Sequence, residues 1–436
     1  MEPLAILGGR PALDRPLPPY NSVGREELEA VLDVVRSGRL SGFYGSWGEE
    51  FLGGRCVRAL EEAWCRHFKV RHAVSMNSAT SGLFAAMGAI GVGPGDEVIV
   101  PAFTMSATAV APLIYGGIPV FVDIEPETFC LDPDAVRQAI SPRTKAIIAV
   151  NLFGHPARLA ELLIVAGEKG LVLVEDNAQA PLAAEAGRYA GTIGAIGVFS
   201  LNYHKHIHAG EGGVCVTDDD HLAQRLQLIR NHAESIVAPI GVQDLTNLVG
   251  FNYRLTELSA AVGVEQLKKI EHHVRRREQL ARRLTSGIDG LAGLAAPAVR
   301  ADCRHVYYLW AARFDKHAAG ISRELFSKAL AAEGFPHFVG YVRPLYLLPL
   351  FQKRIAFGSS GYPFTLSDVR YEKGMCPVAE AMYERELICY ETCMYDVDDR
   401  HADLLVEAVR KVHRHIQDLV KHERDGADRL ATRCLL

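Results

Sequence analysis

The sequence predicts an α/β layer fold on a mostly parallel sheet with helices on both faces, plus a smaller α+β region toward the C-terminus. Three observations carry this. Short apolar runs alternate with helical stretches from His72 to Asp176. The runs are apolar at nearly every position, as in strands covered on both faces. The rhythm changes after Gly213, where a long charged helix and a mixed segment follow.

Each element has a local reason. Residues 1–24 are punctuated by prolines and read as an extended N-terminal arm. Arg25 to Arg36 has helical periodicity, closed by Ser37-Gly38, and Cys56 to Phe68 is a second helix. HAVSM (72–76) is a strand and Thr80 to Gly91 a helix of small residues. DEVIVPA (96–102) is a strand, Ser106 to Tyr115 a helix and PVFVDI (119–124) a strand. Pro133 to Ile140, KAIIAV (145–150), Leu159 to Lys169 and LVLVED (171–176) continue the alternation as helix, strand, helix and strand. Leu255 to about Thr285 forms a long helix. Leu267, Ile270 and Val274 share one side of it, while Lys268, Lys269 and Arg275 to Arg277 keep much of the rest wet. YYLWAARF (307–314) is a strand, Arg323 to Glu333 a helix, and Asp399 to Val420 the closing helix. The expected divisions are an arm (1–24), a large α/β domain (25–254), a connecting helix (255–285), a small α+β domain (286–420) and a polar tail (421–436).

The chain has 436 residues, 49% hydrophobic and 23% charged, with a net charge of −5. That composition is ordinary for a globular protein, and the intermixed basic residues argue against a nucleic-acid binder. No apolar run approaches the ~20 residues a membrane span needs. Nine cysteines without a CxxC pair or a secretory leader favour free thiols, and hence a cytoplasmic location.

The stretch FSLNYHKHIHAGEGG, Phe199 to Gly213, admits three chemistries. His204, His206 and His208 alternate and would share one face of a strand, but no Cys or acid at recognised spacing closes a metal site, so no metal is expected. Gly210, Gly212 and Gly213 allow tight turns, yet there is no GxxxxGK[ST] phosphate loop. In the third reading Lys205 forms an imine, which requires burial or nearby positive charge to keep the amine neutral. A pyridoxal cofactor also needs a carboxylate at its ring nitrogen, and Asp176 ends a strand where ligands of open α/β sheets bind. Its phosphate needs backbone N–H groups at a helix start, which Ser78, Ala79 and Thr80 supply. Each signal alone is weak; together, in this order, they are specific.

VEDNAQA, FSLNYHKHIHAGEGG and GFNYRLTELSAAVGVEQL resemble the DegT/DnrJ/EryC1/StrS family of fold-type-I pyridoxal-phosphate enzymes, mostly sugar aminotransferases. NSATSG, GVGPGDEVIVPAFT, SPRTKAII and GYVRPLYLLP are also family-like. The resemblance runs from about Gly8 to about Ile416. It implies pyridoxal 5′-phosphate (PLP, alternating with its amine form) as cofactor, with Lys205 as the residue joined to it and Asp176 at the ring nitrogen. It implies Gln179 near the ring oxygen, and Ser200 with Ala79 and Thr80 at the phosphate. Members are homodimers with shared sites, so Asn252 would reach the partner's phosphate, assisted by Arg254. Where the family often has an aromatic ring over the cofactor, this chain has Met105, whose thioether can pack on a ring.

The implied activity is transfer of an amino group from glutamate or glutamine to a keto-sugar or keto-cyclitol, possibly nucleotide-linked. A dehydratase or deoxygenase of a sugar on the same scaffold is the alternative. His204 and His206 leave further acid–base roles open. Substrate-facing residues are expected near Phe43-Tyr44, after Ile236 and from His337 to Tyr341, with Tyr44, Trp47 and Tyr341 as candidates to stack on a base or sugar.

Overall fold

A computed structural model describes residues 2–422; most of the expected polar tail, 423–436, lies outside the described residues. Seven strands form the central sheet. In spatial order they are His72–Met76, Gly213–Thr217, Ile196–Ser200, Val172–Asp176, Thr144–Val150, Glu97–Pro101 and Ile118–Val122. All pairings from Ile196–Ser200 to the Ile118–Val122 edge are parallel, and only Gly213–Thr217 runs against its neighbours in this sheet. The α/β class and the mostly parallel sheet are therefore as the alternation predicts.

Two strands escape the sequence reading. Ile196–Ser200 and Gly213–Thr217 are antiparallel neighbours joined by the turn that carries Lys205, with no helix between them to mark a crossover. The helix expected over Ser106 to Tyr115 is two pieces, Ala107–Val110 and a 3-10 turn at Pro112–Tyr115. Pro112 has no N–H to continue the helical ladder, so the first piece stops before it.

Helix starts follow their caps. Ser78 Oγ accepts from Ser81 N at the start of Ala79–Ala89, and Thr256 Oγ1 accepts from Ser259 N at the start of the long helix Glu257–Ile288. The Glu257 carboxylate caps another helix, Arg55–Phe68, by accepting from Cys56 N and Val57 N at 2.8 and 3.1 Å. Leu267, Ile270 and Val274 are buried along one side of the long helix. Arg277 corrects the expected wet face: it is only 3% exposed, with its guanidinium 4.0 Å from the ring centre of Tyr20. The arm crosses the helix there and covers it.

Two apolar cores result. The larger surrounds the central sheet and takes in Tyr308, Leu309, Leu345, Tyr346, Phe351, Tyr371 and Cys389 from the C-terminal third. The smaller combines the end of the long helix, the closing helix Asp399–Arg414 and one face of a four-stranded sheet with Leu4, Leu13 and Leu17 of the arm. The packing thus crosses the expected domain limits at both ends of the chain. The segment Leu345–Met382 lies against the large sheet, where Asp123 caps the helix Pro377–Ala381 through Val378 N and Ala379 N. No helix of the described residues is long and apolar enough to cross a membrane.

Candidate active site

The carboxyl ends of four strands gather Asp176, Ser200 and Ser78, singled out by sequence, with Asn77 and Asn151, which were not. Asp176 closes Val172–Asp176, Ser200 closes Ile196–Ser200, Asn77 and Ser78 follow His72–Met76, and Asn151 follows Thr144–Val150. Lys205 stands in a compact turn held by Leu201 N to Gly212 O, Ala209 N to Leu201 O and Lys205 N to Asn202 O, at 2.9, 2.9 and 3.0 Å. The three histidines are therefore not on a strand face. His206 Nε2 donates to Val306 O at 2.8 Å, and burial pushes its pKa down to about 3 and that of His204 to about 4. Among the described residues the only cluster of potential metal ligands is Glu185, Asp302 and Cys303, away from this turn, and Arg300 ion-pairs its Glu185 at 2.6 Å.

Lys205 is 8% exposed, and its Nζ lies 4.2 Å from the ring centre of Tyr308. Burial lowers its pKa to about 8, opposed by the charge of Asp176. Asp176 is buried, accepting from Thr108 Oγ1 at 2.7 Å and from Ala178 N at 3.1 Å. Its burial pushes the carboxyl above the usual range, opposed by those two bonds and by the charge of Lys205. A buried acid and a buried amine thus face one another's charge at the strand ends.

Gln179 is fixed at both ends: Oε1 accepts from Phe153 N, and Nε2 donates to the Tyr341 hydroxyl, each at 2.9 Å. Behind it, the buried Glu175 carboxylate accepts from the Ile193 and Gly194 amides at 2.7 Å, pinning the loop that leads to Ile196–Ser200. Asn151 Nδ2 donates to Asn177 Oδ1 at 2.8 Å, joining two strand ends.

Ser78, Ala79 and Thr80 form the open start of an eleven-residue helix. Ser78 Oγ is used as the cap, while among the described residues no acceptor meets the Ala79 and Thr80 amides. Gly213 explains part of the glycine cluster: a Cβ there would stand 2.5 Å from Ser78 C and 2.6 Å from Ala79 N. Ser200 Oγ accepts from Asn202 N at 3.2 Å. Asn252 is exposed; its Oδ1 accepts from Arg254 Nε at 2.8 Å, and its neighbour Tyr253 accepts at O from Asn77 N at 2.8 Å. Met105 is 56% exposed, just before the short helix that carries Thr108. Tyr44 and Trp47 are exposed, while Tyr341 packs its ring on Phe103 and Phe153.

Thr108 and Tyr308 were not legible as site residues. Thr108 sits among small residues of SATAV, and Tyr308 lies about a hundred positions after Lys205 with no motif around it. Only the fold brings them to Asp176 and Lys205.

The residues fit pyridoxal phosphate. A lysine has its pKa lowered to about 8 by burial, a carboxylate waits where a cationic ring nitrogen would stabilise it, and free amides with an adjacent glycine leave room for a phosphate. Comparison with known proteins agrees. The DegT/DnrJ/EryC1/StrS aminotransferase family matches residues 24–409. The L-glutamine:2-deoxy-scyllo-inosose aminotransferase of Streptoalloteichus tenebrarius is 34% identical, covering 95% of this chain and 99% of that protein. The spore coat polysaccharide biosynthesis protein SpsC of Bacillus subtilis is 31% identical, covering 89% and 95%. Among solved structures, DesI in the presence of its TDP-sugar product has a TM-score of 0.78 at 29% identity, covering 97% and 99%.

Proposed function

The chain belongs to the DegT/DnrJ/EryC1/StrS aminotransferase family of fold-type-I, PLP-dependent enzymes, and from that premise we propose that it carries an amino group from glutamate or glutamine to a keto-sugar or keto-cyclitol. The observation that carries the reading is the buried pair of Lys205 and Asp176 beside the open amides of Ala79 and Thr80. The ring ketone follows from the names of the relatives, two of which are L-glutamine:2-deoxy-scyllo-inosose aminotransferases.

When bound, the cofactor supplies a carbonyl for amine exchange and a cationic ring that takes up the electron pair left at the substrate Cα. The chain does the rest. Asp176, oriented by Thr108 and Ala178, would hold the cationic ring nitrogen. Ser78, Ala79, Thr80 and Ser200 would hold the phosphate, with Asn252 of a second copy completing the cradle. Gln179, fixed by Phe153 and Tyr341, and the exposed Met105 would border the cofactor ring. Lys205 Nζ would take the proton from the donor Cα and deliver it to the cofactor carbon that carries the transferred nitrogen, and would run the reverse shift for the acceptor. Its lowered pKa makes the neutral, basic form far more abundant near neutral pH than for a surface lysine. The eight unpaired thiols among the described residues support a cytoplasmic location, and the exposed Leu28, Leu32 and Val35, one stripe of the helix Arg25–Ser37, support a homodimer.

The test begins with the purified protein and PLP. Borohydride should fix the cofactor to the peptide carrying Lys205. Glutamate or glutamine, offered with a panel of keto-cyclitols and nucleotide keto-sugars, should then leave nitrogen in the acceptor. Loss of water from the acceptor without gain of nitrogen would overturn the transfer in favour of elimination. Cofactor fixed to another lysine would remove Lys205 from its role.

A further inference from the structure

Arg277 is a buried cation without an acid. It is 3% exposed within the long helix Glu257–Ile288. Its neighbours Arg275 and Arg276 pair with Glu271 and Asp396 at 3.7 and 2.8 Å, whereas among the described residues no carboxylate lies within ion-pair distance of Arg277. The guanidinium lies over the ring of Tyr20, and Nη1 donates to His273 O at 3.1 Å. Nε and Nη2 are buried and meet no acceptor among the described residues. Those two nitrogens share one edge of the guanidinium, and the parallel N–H bonds of that edge are a fork that grips anions.

Other unmatched polar atoms gather round it. His273 Nδ1 and Nε2, His206 Nδ1 and Tyr390 Oη are buried without a partner among the described residues. Tyr20 adjoins them: its ring meets His273 edge-on at 5.6 Å, and its hydroxyl donates to His206 O at 3.4 Å. The charge of Arg277 is felt by His206, His273 and Tyr390 alike. Burial, aided by that charge, pushes the pKa of His273 down to about 4 and that of His206 to about 3, so both imidazoles are neutral near pH 7. Burial pushes the phenols of Tyr20 and Tyr390 up, so neither supplies a negative charge. The Cys393 thiol is the other group of the chain that answers Arg277, and sulfur is a weak acceptor.

This corner of the fold therefore keeps a positive charge. An isolated buried charge is strongly unfavourable, and neither an aromatic ring nor a water molecule cancels it. A cleft lined by Tyr20, Arg277 and Thr392 opens beside the Arg276–Asp396 pair. Its volume of about 10 Å³ suits one atom-sized guest and is too small for a phosphate or a sugar.

We propose that Arg277 binds one monovalent inorganic anion of chloride's size, held by the Nε–Nη2 edge with the free hydroxyl of Tyr390 as a further donor. The ion fastens three segments together: the arm through Tyr20, the long helix through Arg277, and the Lys205 turn through His206. It is a structural anion site behind the lysine turn, and it does not depend on the aminotransferase reading.

The experiment follows thermal unfolding of the full chain while sodium chloride replaces sodium gluconate at constant ionic strength. Wild type should gain roughly 2–4 °C along a saturating curve, because an ion bound only by the folded state stabilises it by mass action. Sodium bromide should act alike. Tyr390→Phe should need severalfold more chloride for half the effect, and Arg277→Met should show no dependence. Crystals grown in bromide give a readout that needs no variant: an anomalous peak at the Nε–Nη2 edge of Arg277. The same chloride response in Arg277→Met, or no bromide peak at the guanidinium, would overturn the site. A wild type indifferent to both halides would also overturn it and leave Cys393 as the counter-charge.

Discussion

Thr108 donates its hydroxyl to Asp176 Oδ2 across 2.7 Å, with both side chains buried. The bond fixes which carboxylate lone pairs remain for a ring nitrogen, so Thr108 would act as a positioning residue for the acid proposed to keep the cofactor cationic. A hydrogen bond to a charged group contributes about 1.5–3 kcal/mol. Thr108→Val should weaken cofactor binding roughly 10- to 100-fold in an absorbance titration and move the pH at which the bound chromophore changes protonation. Thr108→Ser should restore both. An unchanged chromophore titration in Thr108→Val would reduce Thr108 to a packing residue.

Gly213 should resist any side chain. Its backbone is not in the left-handed region, so the obstacle is purely steric: a Cβ would overlap Ser78 and Ala79. Gly213→Ala should cost about 1–3 kcal/mol of stability, as overpacking does, and cofactor affinity should fall as the helix start is displaced. Thermal unfolding and cofactor titration measure the two effects. The control is Gly187→Ala, at a turn with open space around it, where only backbone strain is added.

Lys205 should destabilise the cofactor-free protein at neutral pH. Its pKa falls from 10.5 to about 8 on burial, so between those values the unfolded chain binds more protons than the folded one. Stability contributed at this site therefore rises with pH across that window, and the burial penalty is fully present below pH ~8. The shift corresponds to on the order of 3 kcal/mol. Lys205→Met should raise the unfolding temperature of the apoprotein near pH 7, with the gain shrinking toward pH 10.5. A gain independent of pH would show that packing, not charge, is responsible.

Asn252 offers a test of shared sites. Lys205→Ala homodimers should be inactive and Asn252→Ala homodimers impaired in cofactor binding. If Asn252 serves the partner, a mixed dimer of the two variants contains one site with both native residues. Co-expressed, separately tagged chains purified as the mixed dimer should then recover roughly half of wild-type turnover, one intact site in two. If Asn252 serves its own chain, no intact site forms and recovery is absent.

The sequence by itself determined the fold class and marked the strand-end acid, the lysine and the helix start as candidates. Each is a local signal: an apolar run, a carboxylate at its end, a serine before small residues. It placed Arg277 in water, and it marked neither the strands flanking Lys205 nor the break at Pro112. Thr108 and Tyr308 join the site only through the tertiary fold, from stretches with no motif of their own. Which amine has its pKa lowered and which carboxylate is held in place are decided by burial and by distant partners. Those depend on where the packed layers bring remote segments together, which periodicity along the chain does not encode.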